Sequence, residues 1–200
     1  MSFNMQADVL FYQRFLKCNG FYQGKLDGDW GPKTDAADAA FQEQTARIKA
    51  QEGSFDARSE SNIQTLAPAA QVAARRFLAF CLNAGQDVRL LSGTRTYEHQ
   101  DSLYAQGRTR PGVIVTKARG GQSNHNFGIA WDIGLFEQKQ YITHDKPYIA
   151  LAATVLPHLP QLEWGGNWKS FKDVPHYQLK ATCGTLAAVR KNFESGKAFV

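Results

Sequence analysis

Ser123-Asn124-His125-Asn126-Phe127-Gly128-Ile129-Ala130-Trp131-Asp132-Ile133-Gly134 holds a histidine and, seven residues later, an aspartate. Its β-branched and aromatic residues, set between glycines, predict a loop that runs into a short strand. Downstream, Asp173-Val174-Pro175-His176 adds a second histidine with a carboxylate three residues before it. Two neutral imidazoles and one carboxylate can hold zinc and leave a fourth position for water, whereas a closed structural site fills all four. Pro175 biases Val174 toward extended or polyproline geometry, in which three residues complete a turn. Asp173 and His176 are therefore expected to point the same way, one to hold metal and the other to take a proton. Ser123 is not a triad nucleophile, because no Gly-x-Ser-x-Gly elbow surrounds it.

Working outward, Val88 to Gly93 reads as a strand leading into the Thr94-Arg95-Thr96 turn. Amide hydrolysis builds an oxyanion, and a fixed cation beside it lowers the barrier by about 3 kcal/mol, which makes Arg95 a candidate. Tyr97 starts a helix ended by Gly107, with Glu98 and His99 on its surface. Arg108 to Gly112 reads as a basic loop before a Val113-Ile114-Val115 strand, and Gly120-Gly121 as a flexible approach to the central stretch. Pro68 opens a helix with an apolar stripe through Phe77, Cys81 and Ala84, ended by Gly85, with Arg75 and Arg76 on its solvated edge. His144 and His158 are expected to be surface or packing residues, the latter near the end of a helix from Ala150 to Leu156. Trp164 and Trp168 flank a glycine pair and either line a cleft or pack beneath it.

The segments SGTRTYEHQ, SNHNFGIAWDIG and EWGGNWKSFKDVPHYQL, in that order, resemble the zinc peptidases that cut the stem peptide of peptidoglycan. That group includes D-alanyl-D-alanine carboxypeptidases and dipeptidases and the L-alanyl-D-glutamate endopeptidases of phage endolysins, and the Glu163 to Trp168 run most resembles the endolysin branch. The resemblance covers residues 67–200. It implies that His125, Asp132 and His176 hold one zinc ion, that Asp173 is the general base and that Arg95 polarises the scissile carbonyl. It further suggests a substrate contact from Ser123, and Trp164 is a candidate substrate contact through its place beside the glycine pair. The fold that goes with it is α+β, a small antiparallel sheet flanked by helices.

The N-terminal third reads as three short helices: residues 8–17, ended near Gly20, one opened by Pro32 that carries Ala36, Ala37, Ala40 and Phe41, and one beginning near Ser59. Gly20-Phe21-Tyr22, Asp27-Gly28, Gly31, Thr34 and Phe41-Gln42 resemble the signature of the three-helix peptidoglycan-binding domain found beside wall hydrolases. Residues 1–66 are accordingly expected to be a wall-binding module and residues 67–200 the catalytic domain, with Leu66-Ala67-Pro68 as a linker-free boundary. Asp27, Gly28, Trp30 and Gly31 are the candidate wall contacts, or simply the turn between two helices, and Trp30 either joins the core or stacks on a sugar.

The totals agree with a folded protein that binds an anionic polymer. The formal charge is +5 over 200 residues. Residues 1–66 carry a net −2 and residues 67–200 a net +7, so the basic part is the one with the metal motifs. Positive charge suits peptidoglycan or another anionic target, whereas no basic helix, RNA-binding signature or finger spacing favours nucleic acid. No run of 18 apolar residues could span a bilayer, so no membrane insertion is expected, and a monomer is. Three scattered cysteines fit neither a disulfide framework nor a cysteine zinc cluster, leaving buried thiols. The start, MSFNMQADVLFYQRFLKC, lacks a basic region followed by an apolar core, so no cleaved secretory signal is expected. Synthesis in a host cytoplasm and release through a holin pore, or by a secretion machine, would then bring the protein to the wall.

Overall fold

The computed structural model describes residues 5–200. Among them, α1(Val9–Cys18), α2(Pro32–Glu52), α3(Ala57–Ile63), α4(Pro68–Asn83), α5(Tyr97–Ala105), α6(Asp145–Val155) and α7(Leu186–Ser195) are the helices, and β1(Asp87–Ser92), β2(Ala130–Glu137), β3(Gln140–Tyr141), β4(Leu162–Trp164) and β5(His176–Leu179) the strands. The fold class is α+β, with helices leading into an antiparallel sheet as the sequence predicts. Two compact units interleave along the chain: Met1–Gln42 with Thr94–Gly128 and Ala181–Val200, and Glu43–Gly93 with Ile129–Lys180. The first sixty-six residues thus contribute to both, and the division falls inside α2.

In the first unit, Asp8 caps α1 by accepting the Phe11 amide at 3.0 Å, satisfying one of the orphan donors of a helix start. Gly20, at φ +83°, turns the chain out of the helix as expected. α1 then sets Phe11 against Phe193 of α7 at 5.1 Å, and Phe193 lies 5.3 Å from Phe127. Tyr97 closes this cluster 5.8 Å from Phe11 and 6.4 Å from Phe127. Four aromatic rings from distant parts of the sequence therefore form one cluster, buried except for the half-buried Tyr97, and the segment that carries His125 is anchored in it through Phe127.

In the second unit the strand order is β1-β2-β5-β4, with β3 on the end of β2. α4 covers one face: Phe77 lies 4.6 Å from Tyr177 and 6.3 Å from Trp131, all three buried. The period-2 alternation of β2 explains why Trp131 turns into this core while Asp132 points to the opposite side. The register sets Asp132 opposite His176.

Several local expectations are corrected. Arg75 is fully buried rather than on a solvated edge, because the segment between α2 and α3 folds over α4. Its guanidinium donates to Glu60 Oε1 at 2.7 Å, Glu60 Oε2 at 3.0 Å and the Gly53 carbonyl at 2.7 Å. Arg76 does stay exposed, paired with Glu52 at 2.6 Å. Val113 to Val115 form no strand; the three side chains stand in solvent on an irregular loop. Gly120-Gly121 is tied down rather than flexible. The Gly120 amide donates to Asp101 Oδ1 at 2.9 Å, the Gly121 amide donates to Asn126 Oδ1 at 3.0 Å, and a Cβ on Gly120 would come within 2.8 Å of the Tyr97 carbonyl. α6 begins at Asp145, earlier than expected, with His144 at its N-cap.

Candidate metal centre

His125 sits in a tight turn, Asn124–Phe127, whose geometry follows from its neighbours. Ser123 caps it, its hydroxyl accepting the His125 amide at 3.4 Å, and Gly128 leaves it at φ +72°, a conformation that costs little only for glycine. The turn is sewn to the strand-to-helix segment bearing Arg95. The Arg95 amide donates to the His125 carbonyl at 3.0 Å, while Asn126 Nδ2 donates to the Arg95 carbonyl at 2.9 Å. Arg95 itself extends a guanidinium nitrogen to Gln100 Oε1 at 3.4 Å. His99, expected on the helix surface, is half-buried, and that burial together with the charge of Arg95 lowers its pKa. Ser123 therefore holds the turn that carries His125, and Asn126, given no role from sequence, locks that turn to Arg95.

Asp132 and His176 belong to neighbouring strands. His176 Nδ1 lies 3.1 Å from Asp132 Oδ1, and His176 Nε2 lies 3.0 Å from Gln178 Oε1. Gln178 in turn donates from Nε2 to Glu163 Oε2 at 2.8 Å, which fixes its amide with the oxygen toward the histidine. An Nε2–H given to Gln178 leaves Nδ1, the nitrogen beside Asp132, with its lone pair for a metal. Burial opposes a charged imidazole here, but the hydrogen bond and charge of Asp132 outweigh it, aided by Gln178 and Asp173, so the His176 pKa is raised.

His125, Asp132 and His176 each offer one ligand atom, and these atoms lie within 4.8 Å of one another. Both imidazoles are buried and the carboxylate is half-buried. Two nitrogens and one oxygen at this spacing fit a zinc ion, and the histidine with a side-chain acceptor on its far nitrogen is the usual support for such a ligand.

Asp173, whose charge helps raise the His176 pKa, lies in a turn different from the one its sequence suggests. The His176 amide donates to the Asp173 carbonyl at 3.2 Å, so residues 173–176 form a hydrogen-bonded turn; a polyproline segment has no internal hydrogen bonds. The Asp173 amide also donates to the Gly165 carbonyl at 3.1 Å. A Cβ on Gly165 would lie 2.5 Å from the Asp173 carbonyl oxygen, and one on Gly166 would lie 2.2 Å from the Trp164 ring. The glycine pair thus exists to let two close contacts form. Trp164 is buried and props this turn, its indole donating to the Val174 carbonyl at 2.8 Å. Trp168 leans on His176 with ring centroids 4.9 Å apart. Both tryptophans also border a groove of about 470 Å³ with Glu163, Asn167 and Lys180.

His144 and His158 are both exposed, and His158 packs on Phe80 at 4.8 Å. Cys18 and Cys81 are buried thiols whose pKa values burial pushes up to about 12, and Cys183 is half-buried. At the N-terminal end, the buried amide of Gln13 organises the Asp27 turn. It donates to Asp27 Oδ1 and to the Asp29 carbonyl, both at 2.9 Å, and accepts the amides of Asp27 at 3.1 Å and Gly28 at 3.0 Å. The Gly31 carbonyl accepts from Thr34 at 2.8 Å and so starts α2. Trp30 is not a core residue: it is 40% exposed, stacks on Tyr12 at 5.9 Å and donates to Asp35 at 2.6 Å.

The chain is similar to known proteins in two stretches. Residues 116–179 match the family model described as D-alanyl-D-alanine carboxypeptidase. Residues 5–58 match the one described as "Putative peptidoglycan binding domain". The peptidoglycan L-alanyl-D-glutamate endopeptidase CwlK of Bacillus subtilis (strain 168) is 41% identical over 109 residues, which are 50% of this chain and 65% of that protein's length. Among solved structures, the L-Ala D-Glu endopeptidase ChiX of Serratia marcescens is 26% identical, with 65% of this chain and 92% of that one covered and a TM-score of 0.48. The chain is thus similar to a peptidoglycan-binding domain over residues 5–58 and to the D-alanyl-D-alanine carboxypeptidase model over residues 116–179, and the second stretch includes all three candidate metal ligands.

Proposed function

We propose that this protein is a peptidoglycan hydrolase that cuts the stem peptide between L-alanine and D-glutamate, using one zinc ion held by His125, Asp132 and His176. The observation that carries the proposal is the convergence of those three ligand atoms within a segment matched to peptidases. The relative that is 41% identical bears the name of an endopeptidase for this bond, which favours it over the others in the stem.

His125, Asp132 and His176 would hold the zinc ion, which would supply Lewis acidity that makes a water nucleophilic near neutral pH. Asp173 accepts the proton of the attacking water and returns it to the leaving amine as the C–N bond breaks. Arg95 stabilises the negative charge that gathers on the former carbonyl oxygen. Gln178 holds His176 in the tautomer that presents Nδ1, and Ser123 and Asn126 hold the His125 turn. Trp164 supports the Asp173 turn and, with Trp168, borders the groove that receives the peptide.

Residues 1–66 act as the wall-binding module and residues 67–200 as the catalytic part. Trp30, with one ring face on Tyr12 and substantial exposure, stacks on a sugar, while Asp27, Gly28 and Gly31 shape the turn that presents it. The protein works as a monomer, as a bacteriolytic phage endolysin made in the host cytoplasm and released through a holin. A second reading, removal of terminal D-alanine, is favoured by the description of the family model that matches residues 116–179.

Mass spectrometry of purified peptidoglycan after digestion decides between these. New chain ends with a free D-glutamate amine are expected. Free D-alanine as the product would move the enzyme to the carboxypeptidase reading, and no cleavage with zinc supplied would overturn both.

A further inference from the structure

Between Asp101 and Asp132 the chain has no acidic residue, yet it carries Arg108, Arg110, Lys117 and Arg119 around the consecutive side chains Val113, Ile114 and Val115. Those three are 75%, 57% and 51% exposed. Single exposed aliphatic residues are ordinary, but three in a row inside a cationic loop form a patch that water disfavours.

The exposure is built in. The Gly107 amide donates to the Arg110 carbonyl and the Arg110 amide to the Ala105 carbonyl, each at 2.9 Å, which closes the near end of the loop. Gly107, at φ +69°, lets Ile114 fold back so closely that a Cβ there would lie 2.8 Å from the Ile114 nitrogen. At the far end, Arg108 donates to the Thr116 carbonyl at 3.1 Å, and Gln100 donates to Thr116 Oγ1 at 3.2 Å and to the Ala118 carbonyl at 3.0 Å. A loop pinned at both ends presents its aliphatic tip outward.

Beside the tip lies a groove of about 410 Å³ lined by Asp101, Tyr104, Ala105, Arg108, Thr109 and Arg119. The Arg108 guanidinium lies 3.9 Å and that of Arg119 4.8 Å from the Tyr104 ring centroid, so the ring gathers two cations at one spot. Asp101 is the one opposing charge in the groove lining, and one of its carboxylate oxygens is engaged by the Gly120 amide.

We infer that this loop is a peripheral docking surface for an anionic phospholipid bilayer, with Val113, Ile114 and Val115 entering the headgroup layer while Arg108, Arg110, Lys117 and Arg119 meet lipid phosphates. Charge complementarity selects an anionic partner, and the aliphatic tip selects a lipid surface over a soluble polymer, which offers it nothing apolar.

The test is co-sedimentation of the full chain with vesicles of equal parts phosphatidylglycerol and phosphatidylcholine, and with phosphatidylcholine alone. Binding to the anionic vesicles is expected, at least tenfold weaker on neutral ones and at least tenfold weaker for Ile114→Asp, a solvent-exposed change that leaves wall digestion intact. An Arg110→Glu, Lys117→Glu double variant is expected to lose binding as well. Equal vesicle binding by Ile114→Asp would overturn the inference and leave charge attraction alone. Absence of vesicle binding, with the same substitutions weakening sedimentation on purified peptidoglycan instead, would assign the loop to the wall.

Discussion

Asp132 and His176 are register partners on adjacent antiparallel strands, and their facing side-chain atoms are 3.1 Å apart. Residues opposite each other on such strands project to the same face. Two ligands of the candidate centre are thereby fixed by backbone hydrogen bonding, and His125 arrives from a turn only two residues before β2 begins.

Gln178 follows His176 by two residues on the same strand and so points to the same side. Replacing it with Leu removes the acceptor that selects the His176 tautomer. Metal affinity is expected to fall about 10-fold to 100-fold, measured by competition with a chromogenic chelator. An unchanged affinity would show that Gln178 does not orient the ligand.

Arg75 is fully buried and pairs with the half-buried Glu60, and breaking a buried pair from one side costs up to about 3–5 kcal/mol, less where the remaining charge keeps access to water. Arg75→Met should therefore destabilise the protein strongly in urea denaturation, with metal ligation left in place. Burial acts to raise the Glu60 pKa, but the hydrogen bonds and charge of Arg75, with the Phe55 amide, outweigh it and the net shift is downward. A lowered folded-state value means the pair's stabilisation is complete above the unfolded carboxyl pKa of about 4.3. It is lost as pH falls through the lower folded value, and Glu60→Gln should flatten that part of the stability profile.

Phe11 belongs to α1, but its ring packs against Phe193 and Tyr97. Phe11→Ala should cost about 3–5 kcal/mol by cavity formation, read as a lower denaturation midpoint. Deleting residues 1–66 should be worse, since it removes α1 from the cluster that anchors the His125 turn. A truncated chain with the stability of the full one would contradict this packing.

Much of the candidate site was legible because its residues are chemically unusual and close in sequence. The His125-to-Asp132 spacing and the Asp173-to-His176 element give the donor set, and strand periodicity separates Trp131 from Asp132. The support was harder to read. Gln178 carries a legible signal, its even spacing from His176, whereas Asn126, and in large part Gln13, act through backbone groups that any sequence could supply. Arg75 looked exposed because helical periodicity describes α4 alone, and only the chain folding over it supplies Glu60 and the Gly53 carbonyl. Val113 to Val115 carry strand-forming side chains but have no partner strand, so propensity alone did not make a sheet.

The central claim is that His125, Asp132 and His176 hold the metal while Asp173 moves the proton. Elemental analysis of bound zinc, paired with peptidoglycan digestion, tests it on two variants. Asp173→Ala should retain zinc and lose about 10²-fold to 10⁴-fold in activity, and His125→Ala should lose both metal and activity. Loss of zinc from Asp173→Ala, or full metal content in His125→Ala, would contradict the assignment of base and ligand.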